Sequence, residues 1–362
     1  MALYSVLGAG NGGQALSAIL KHKGNEVRLW ARKQSLVEEL NRTGRKINLY
    51  GAIRANTTID LVTTNIEEAV KETSIIFIVL PANAHTDMAK SLAPLLKKWQ
   101  TVILNPGRTA GALEFSSVIR ETIPMDEMPL ILESQSLFCA CRAKIPGEVD
   151  ILSFKKSNLI GGFPKQRIPS VSDDLSEIYQ DLGFAENTLQ TGLDNMGAIL
   201  HPAPVLLNSG WIESRDTFFA HYYQGISPSV SKFLEKMDLE RLQIAEKLSV
   251  QVRSVKNWHE ETYGCVGETL FETLQKNSAY ASLDAPRTLV HRYLLEDLPT
   301  GLVPISELGR ITGVPTPHID TIISLGSAML EIDFRSCGRN LSNLGIVGKT
   351  VSEVKSIFEN GV

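Results

Sequence analysis

The stretch LYSVLGAGNGGQALSAIL, residues 3–20, constrains this chain more tightly than anything else in it. A β-rich run is followed at once by Gly8, Gly10 and Gly13 in G-x-G-x-x-G spacing, then by the helical pattern QALSAILKHK, which stops at Gly24. In that context each glycine has its own task. Gly8 permits a tight turn, Gly10 lets the backbone come close to a pyrophosphate, and Gly13 allows the helix to pack closely on the strand. Asn11 and Gly12 stand at the same helix start, where unpaired N–H groups and the helix dipole favour phosphate. An ordinary βα turn can also hold three glycines. The strand EVRLWA, following at the distance expected of a βαβ unit, favours the dinucleotide cradle.

Where that second strand ends, a dinucleotide site for NAD carries an acid that binds the ribose 2′-hydroxyl; this chain has Ala31, Arg32 and Lys33. An acid there repels a 2′-phosphate, whereas a guanidinium grips it in a fork and stacks on adenine. The sequence therefore predicts NADP(H) as the preferred cofactor, NAD(H) as a second one, and Arg32 as the phosphate ligand. Solvated loop charges are the plainer reading of the same pair. Two further strand ends, at Pro81 in IIFIVLPANAH and at Asn105 in TVILNPGRTAGALEF, are expected to face the cofactor, because ligands of open α/β sheets sit beyond the carboxyl ends of the strands. Ordinary turn chemistry explains the same Pro and Gly residues.

Up to about residue 190, β-rich runs (LYSVLGA, EVRLWA, SIIFIVLP, TVILNP, LILES, VDILSF) alternate with amphipathic segments such as NIEEAVKET and HTDMAKSLAPLLKK. That rhythm signals βαβ units and a parallel sheet. Beyond it the periods are helical, as in SKFLEKMDLERLQIAEKLS and PHIDTIISLGSAMLEIDF. The expected architecture is an α/β N-terminal Rossmann-type dinucleotide-binding domain over 1–190, followed by an all-α helical domain over 191–362, with a substrate cleft between them. A chain of 362 residues, 43% apolar and 21% charged, has room for two such cores.

Net charge is −4 and the basic residues are spread out, so no nucleic-acid partner is expected. Cys139, Cys141, Cys265 and Cys337 show no metal-ligand spacing, and a reducing cytoplasm is the expected compartment. The apolar start is not read as a leader, since glycines interrupt it and KHK follows it rather than precedes it. SIIFIVLPA, at 74–82, suits a buried strand and is too short to cross a bilayer.

Most of the seven histidines read as surface or satisfied core groups. His22 lies in a helix-end charge cluster, His85 follows the strand-end turn, and His221, His259 and His318 sit among polar or aromatic residues without an evident acidic partner. His201 differs, because it sits in the apolar run DNMGAILHPAPVLLN, where a titratable group needs a partner or a function. Pro202 and Pro204 are expected to disturb the helix there. The second charged island is LVHRYLLEDLPTGLVPISELG, in which Arg292, Glu296 and Asp297 precede a turn expected at Pro299 and Gly301. Arg292 and Glu296 have the spacing of a helix salt bridge. Asp297 is a candidate to orient and charge His201, raising its pKa relative to an isolated histidine in the same helix.

Taken together, GAGNGGQA, NPGRTAGALEF, LESQSLFCACR, HPAPVLLN, HRYLLEDLPTGLVPISELG, VPTP and GRNLSNLG resemble the opine dehydrogenase family, the relatives of octopine and nopaline dehydrogenases, nearly end to end. The resemblance implies a reductive joining of an amino acid to a 2-oxo acid, with pyruvate as the family-level expectation, by a reduced nicotinamide cofactor. It also implies that His201 and Asp297 are the catalytic pair and Arg292 a carboxylate holder. Cys141 and Arg142 are placed near the site but outside the catalytic set. Two small-molecule substrates are the expected partners, and a homodimer the candidate assembly; no membrane and no metal are expected. Two rivals remain: a carbonyl-reducing dehydrogenase resembling glycerol-3-phosphate dehydrogenase or ketopantoate reductase, and a dinucleotide sensor without catalysis.

Overall fold

The computed structural model describes residues 2–156, 158–179, 182–214, 218–281 and 283–361. Strands β1 (Leu3–Leu7), β2 (Glu26–Trp30), β5 (Leu61–Thr63), β6 (Ile75–Ile78), β7 (Thr101–Leu104) and β8 (Leu130–Ser134) pair in parallel within one eight-stranded sheet. Its order is β12-β11-β8-β7-β6-β1-β2-β5, with β11 (Leu159–Phe163) antiparallel to β8 and β12 (Gly183–Phe184) parallel to β11. β6 and β7 are buried at every position, as expected of strands covered on both faces. The chain leaves β1 toward β2 on one side and returns to β6 on the other. The crevice beside the end of β1 is thus a topological switch point, where such sheets take their ligands.

A second sheet was not foreseen. β3 (Lys46–Gly51), β4 (Ala55–Thr58), β9 (Cys139–Ile145) and β10 (Glu148–Phe154) form it in the order β4-β3-β10-β9. VDILSF, read from the sequence with the parallel strands, belongs here, antiparallel to β9 and parallel to β3. Alternation alone reveals a strand and not its sheet. The second sheet covers helix α1 (Asn11–His22), whose residues Gly12–Leu20 are consequently all buried. Polar groups of α1 are satisfied by the β9–β10 hairpin: the Gly147 N–H donates to Gln14 Oε1 at 2.8 Å, and the Ala143 N–H to Asn11 Oδ1 at 3.1 Å.

Contacts divide the chain into an α/β unit, Met1–Gly107 with Gly111–Thr191 and Phe358–Val362, and a helical unit, Arg108–Ala110 with Gly192–Ile357. Two short segments belong to a unit other than that of their chain neighbours. The C-terminal end returns to the α/β unit, where the Thr188 hydroxyl donates to the Phe358 carbonyl at 2.9 Å and the Phe358 ring is buried. Arg108–Ala110, between β7 and the helix Gly111–Ile119, packs with the helical unit, and both Arg108 and Ala110 take positive φ, 63° and 60°.

In the helical unit the longest helix, Pro228–Lys247, starts with Pro228 in its first turn and with the Ser227 hydroxyl accepting the Val230 N–H, a proline start with a serine cap. The segment around His201 is broken, as its prolines imply: one short helix, Met196–Leu200, ends at His201 and a second, Pro202–Leu207, begins after it. The turn expected at Pro299 and Gly301 is instead a π-helical stretch, Leu298–Leu302, running on into the helix Val303–Thr312. Its glycine permits close approach, since a Cβ on Gly301 would lie 2.8 Å from that of Ala198. Among the described residues no helix is long and apolar enough to cross a membrane.

Candidate active site

Each unit carries one set of the residues singled out by sequence. In the α/β unit, Gly8 has φ +119°, and a Cβ there would meet the Val79 carbonyl oxygen at 2.3 Å; on Gly13 it would stand 1.6 Å from the Gly8 carbonyl oxygen. These two positions admit glycine alone. Gly10 caps α1 with no side-chain hydrogen bond, its Cβ position is open, and the first turn holds no acid. The helix N-terminus therefore presents open N–H groups and an uncompensated dipole around Asn11, Gly12 and Gly13. At the end of β7, Asn105 is buried; its Oδ1 accepts the Ser134 hydroxyl at 2.8 Å and its Nδ2 has no partner among the described residues. A buried amide nitrogen in that state suits a ligand acceptor. Pro81 precedes the one-turn 3₁₀ helix Ala82–Ala84, beyond the end of β6. Ala31 is buried just past β2, and Arg32 is exposed with no ion pair to any described residue. The residues present fit a dinucleotide phosphate cradle.

In the helical unit, His201 Nδ1 and Asp297 Oδ2 are 2.7 Å apart, with Asp297 fully buried and the imidazole 15% exposed. The break after Leu200 frees the ring from a continuous helix, and the π-helical stretch directly following Asp297 lays the carboxylate against it. Burial on its own raises the Asp297 carboxyl, but Arg108 and His201 outweigh it and hold the group below the usual carboxylate range. For His201, burial pushes the imidazole below its ordinary value against the upward pull of Asp297. The pull of Asp297 expected from the sequence is present, but desolvation is larger. The pair at neutral pH is thus a carboxylate and a neutral imidazole, with Nδ1–H donating to Asp297 and Nε2 left as the acceptor.

That nitrogen faces Tyr222, whose hydroxyl lies 3.1 Å away. Burial raises the Tyr222 phenol well above its usual value, so it is a protonated donor. Tyr293 stacks on the imidazole, ring centroids 4.1 Å apart at 15°. His221, 6.3 Å from His201 by ring centroids, is pushed down to about 3 by burial and is neutral. Removing the hydroxyl in Tyr222→Phe deletes a bond that favours the neutral imidazole. At about 0.5–1.5 kcal/mol for such a bond, the His201 limb of the pH–rate profile should move up by less than about one unit and turnover should change less than about tenfold. An unmoved limb would mean that the hydroxyl does not govern Nε2.

Arg292 is 57% exposed, and its Nε and Nη2 lie 3.2 and 3.0 Å from Glu296 Oε2. The helix ion pair read from spacing is therefore formed. Sequence reasoning missed Arg108, although it stands in the quoted NPGRTAG block. Its guanidinium reaches Glu296 Oε1 at 3.2 Å, Asp297 Oδ1 at 3.5 Å and Asn195 Oδ1 at 3.3 Å. Spacing along the chain carries no signal for a contact 189 positions away in sequence, from 108 to 297. His318, read as lacking an acidic partner, has one in Glu240, 2.6 Å from its Nδ1 and supplied by the long helix. Cys141 and Arg142 lie on β9 in the α/β unit.

Comparison with known proteins bears on both units. Residues 184–330 match the family model described as NAD/NADP octopine/nopaline dehydrogenase, alpha-helical domain, and residues 4–132 match NAD-dependent glycerol-3-phosphate dehydrogenase N-terminus. An opine dehydrogenase from Arthrobacter sp. (strain 1C) is 38% identical over 356 residues, covering 98% of each chain. A solved octopine dehydrogenase with NADH and L-arginine superposes with a TM-score of 0.81 at 19% identity, covering 98% of each chain. A yersinopine dehydrogenase with NADP+ gives 0.72 at 15% identity, covering 99% of this chain and 98% of that one. With its Rossmann-like α/β domain, its octopine/nopaline-type helical domain and an end-to-end relative at 38% identity, the chain belongs to the opine dehydrogenase family of NAD(P)-dependent oxidoreductases.

Proposed function

We propose that His201 and Asp297 are the acid–base pair of this opine dehydrogenase, that Arg292 holds a substrate carboxylate, and that NADPH is its preferred reductant. The reaction is the NAD(P)H-dependent reductive condensation of an amino acid with a 2-oxo acid. The observation that carries the residue roles is the buried 2.7 Å contact between His201 Nδ1 and Asp297, with a protonated phenol at the other ring nitrogen. Pyruvate, present in a solved octopine dehydrogenase, is the 2-oxo acid proposed. We place the protein in a reducing cytoplasm, consistent with four free cysteines.

The neutral imidazole takes a proton at Nε2 from the ammonium of the amino acid, freeing the neutral amine to attack the oxo carbon, and Asp297 stabilises the imidazolium that forms. Charged in this way, His201 returns the proton to the carbinolamine oxygen as water leaves. A substrate polar atom takes the place of the Tyr222 hydroxyl at Nε2 during these transfers. The Arg292 guanidinium, released from or shared with Glu296, fixes one carboxylate by paired hydrogen bonds and so sets which face of the carbon is presented. Gly8, Gly10, Asn11, Gly12 and Gly13 would hold the pyrophosphate, Arg32 the 2′-phosphate, and the chain at Pro81 and Asn105 the nicotinamide end. When bound, the reduced nicotinamide supplies the hydride.

Two steady-state comparisons test these roles. NADPH should bind more tightly than NADH, and Arg32→Ala should lose about tenfold or more in NADPH affinity with little change for NADH, since a hydrogen bond to a charged group contributes roughly 1.5–3 kcal/mol. Equal affinities in the wild type would refute the assignment of Arg32. Arg292→Lys should raise the KM of one carboxylate substrate more than that of the other, because a point charge cannot reproduce the fork. Equal changes in both would remove Arg292 from carboxylate binding.

A further inference from the structure

We infer that Arg108 is a positioning residue for the reaction, the fixed cation that holds Asp297 in place and ionised behind His201. The inference rests on the reading of His201 and Asp297 as the acid–base pair. Asp297 is fully buried, and its Oδ2 is engaged by His201. Its other oxygen, Oδ1, makes no hydrogen bond among the described residues and has the Arg108 guanidinium 3.5 Å away. A buried carboxylate cannot remain charged without a compensating cation, and the planar guanidinium fork supplies that charge in a fixed geometry.

The surroundings are shaped to admit that side chain. Position 197 lies within the short helix before His201, where glycine is unfavourable, yet a Cβ there would come within 2.7 Å of Arg108 Nη1 and 3.1 Å of His201 Cε1. The backbone of Arg108 is itself left-handed, at φ 63°, a conformation that a non-glycine residue keeps only where its surroundings hold it. Those surroundings are within the helical unit: the Thr109 N–H donates to the Thr300 carbonyl at 3.1 Å, and the Arg339 guanidinium donates to the Thr109 carbonyl at 2.8 Å. Thr300 lies in the π-helical stretch that follows Asp297. The loop is thereby fastened beside the carboxylate that its arginine serves. Glu296 Oε1 and Asn195 Oδ1 take the rest of the guanidinium, fixing its plane.

The charged and titratable groups facing the pair are Arg108, Arg292, Glu296, His221, His291, Tyr222 and Tyr293. Arg108 and Arg292 both lower the proton affinity of His201, and of the two only Arg108 is almost fully buried, 10% exposed against 57%. Removing the Arg108 charge must raise the proton affinity of both members, whereas removing the Asp297 charge must lower that of His201. The two changes move the same limb in opposite directions.

The test is the pH dependence of kcat and kcat/KM in wild type, Arg108→Gln, Arg108→Lys and Asp297→Asn, with cofactor affinity measured separately by fluorescence titration. In Arg108→Gln the limb assigned to His201 should move up by about one pH unit, with kcat reduced on the order of a hundredfold as the pair loses its placement and cofactor affinity retained. Arg108→Lys should leave the limb near its wild-type position while kcat still falls, separating charge from geometry. In Asp297→Asn the limb should move down. An unmoved limb and near-wild-type kcat in Arg108→Gln, with Asp297→Asn shifting it down, would overturn the role of Arg108 alone. An unmoved limb in Asp297→Asn would overturn the acid–base pair itself. If Arg108→Gln does not fold, Arg108→Lys decides: wild-type kcat in it overturns the inference, and reduced kcat at an unmoved limb supports it.

Discussion

His201→Ala is expected to lose about 10²–10⁴-fold in turnover, the range for a positioned acid–base group, while still binding the cofactor with wild-type affinity. The separation follows from the fold. His201 sits between two short helices of the helical unit, whereas the glycine turn, Arg32 and Asn105 belong to the α/β unit, so the substitution leaves the cradle intact. His201 also carries a specific ionisation: burial lowers its pKa and Asp297 pulls it back up. Asp297→Asn removes the upward pull, so the limb should fall to lower pH as the rate drops. In the oxidative direction, with His201 in its proposed role of base, activity should therefore survive to lower pH in this variant, at a reduced maximum. Near-normal turnover of His201→Ala at saturating substrates would end the catalytic assignment.

Gly13→Ala should abolish cofactor binding and destabilise the α/β unit, whereas Gly10→Ala should weaken binding without a comparable loss of stability. At position 13 a Cβ would lie 1.6 Å from the Gly8 carbonyl oxygen, a backbone atom at the end of β1 that cannot step aside. Forcing that overlap costs roughly 1–3 kcal/mol or more, a large part of a typical stability of about 5–15 kcal/mol. At position 10 no atom lies within 4 Å of the Cβ, so the fold should tolerate alanine, and the methyl group would occupy only the approach proposed for the pyrophosphate. Differential scanning fluorimetry with cofactor titration distinguishes the two. Equal melting temperatures in Gly13→Ala and Gly10→Ala would show that the close packing of α1 on β1 is not what fixes glycine at position 13.

The parts legible in the sequence are those encoded locally. The glycine turn declared itself through spacing and its place between strand and helix, and the break at His201 through Pro202 and Pro204. Tertiary placement was less accessible. VDILSF alternates as a strand should, yet nothing in its pattern says that it pairs with β9 and β3 instead of joining the parallel sheet. Pro299 and Gly301 look like turn residues; their actual use, in a π-helical stretch packed on Ala198, depends on a neighbour about a hundred positions away. Arg108 is the sharpest case. Its partners Glu296 and Asp297 are brought to it by a three-residue excursion of the α/β chain into the helical unit, and neither periodicity nor spacing encodes that excursion. Glu296 likewise reads as the partner of Arg292 in a four-residue helix spacing, and only folding reveals that it serves Arg108 as well.

The most direct measurement is mass spectrometry of the products formed with NADPH deuterated at the reactive position of its nicotinamide, a 2-oxo acid and a panel of amino acids, each mixture run with and without the amino acid. Arg292 as a carboxylate holder and His201 with Asp297 as a proton relay call for two anionic substrates joined through nitrogen. The expected product is a secondary amine dicarboxylate carrying one deuterium on the carbon of the former oxo group, formed only when the amino acid is present. A deuterated 2-hydroxy acid, formed equally well without any amine and accompanied by no adduct from any pairing, would overturn that chemistry in favour of simple carbonyl reduction.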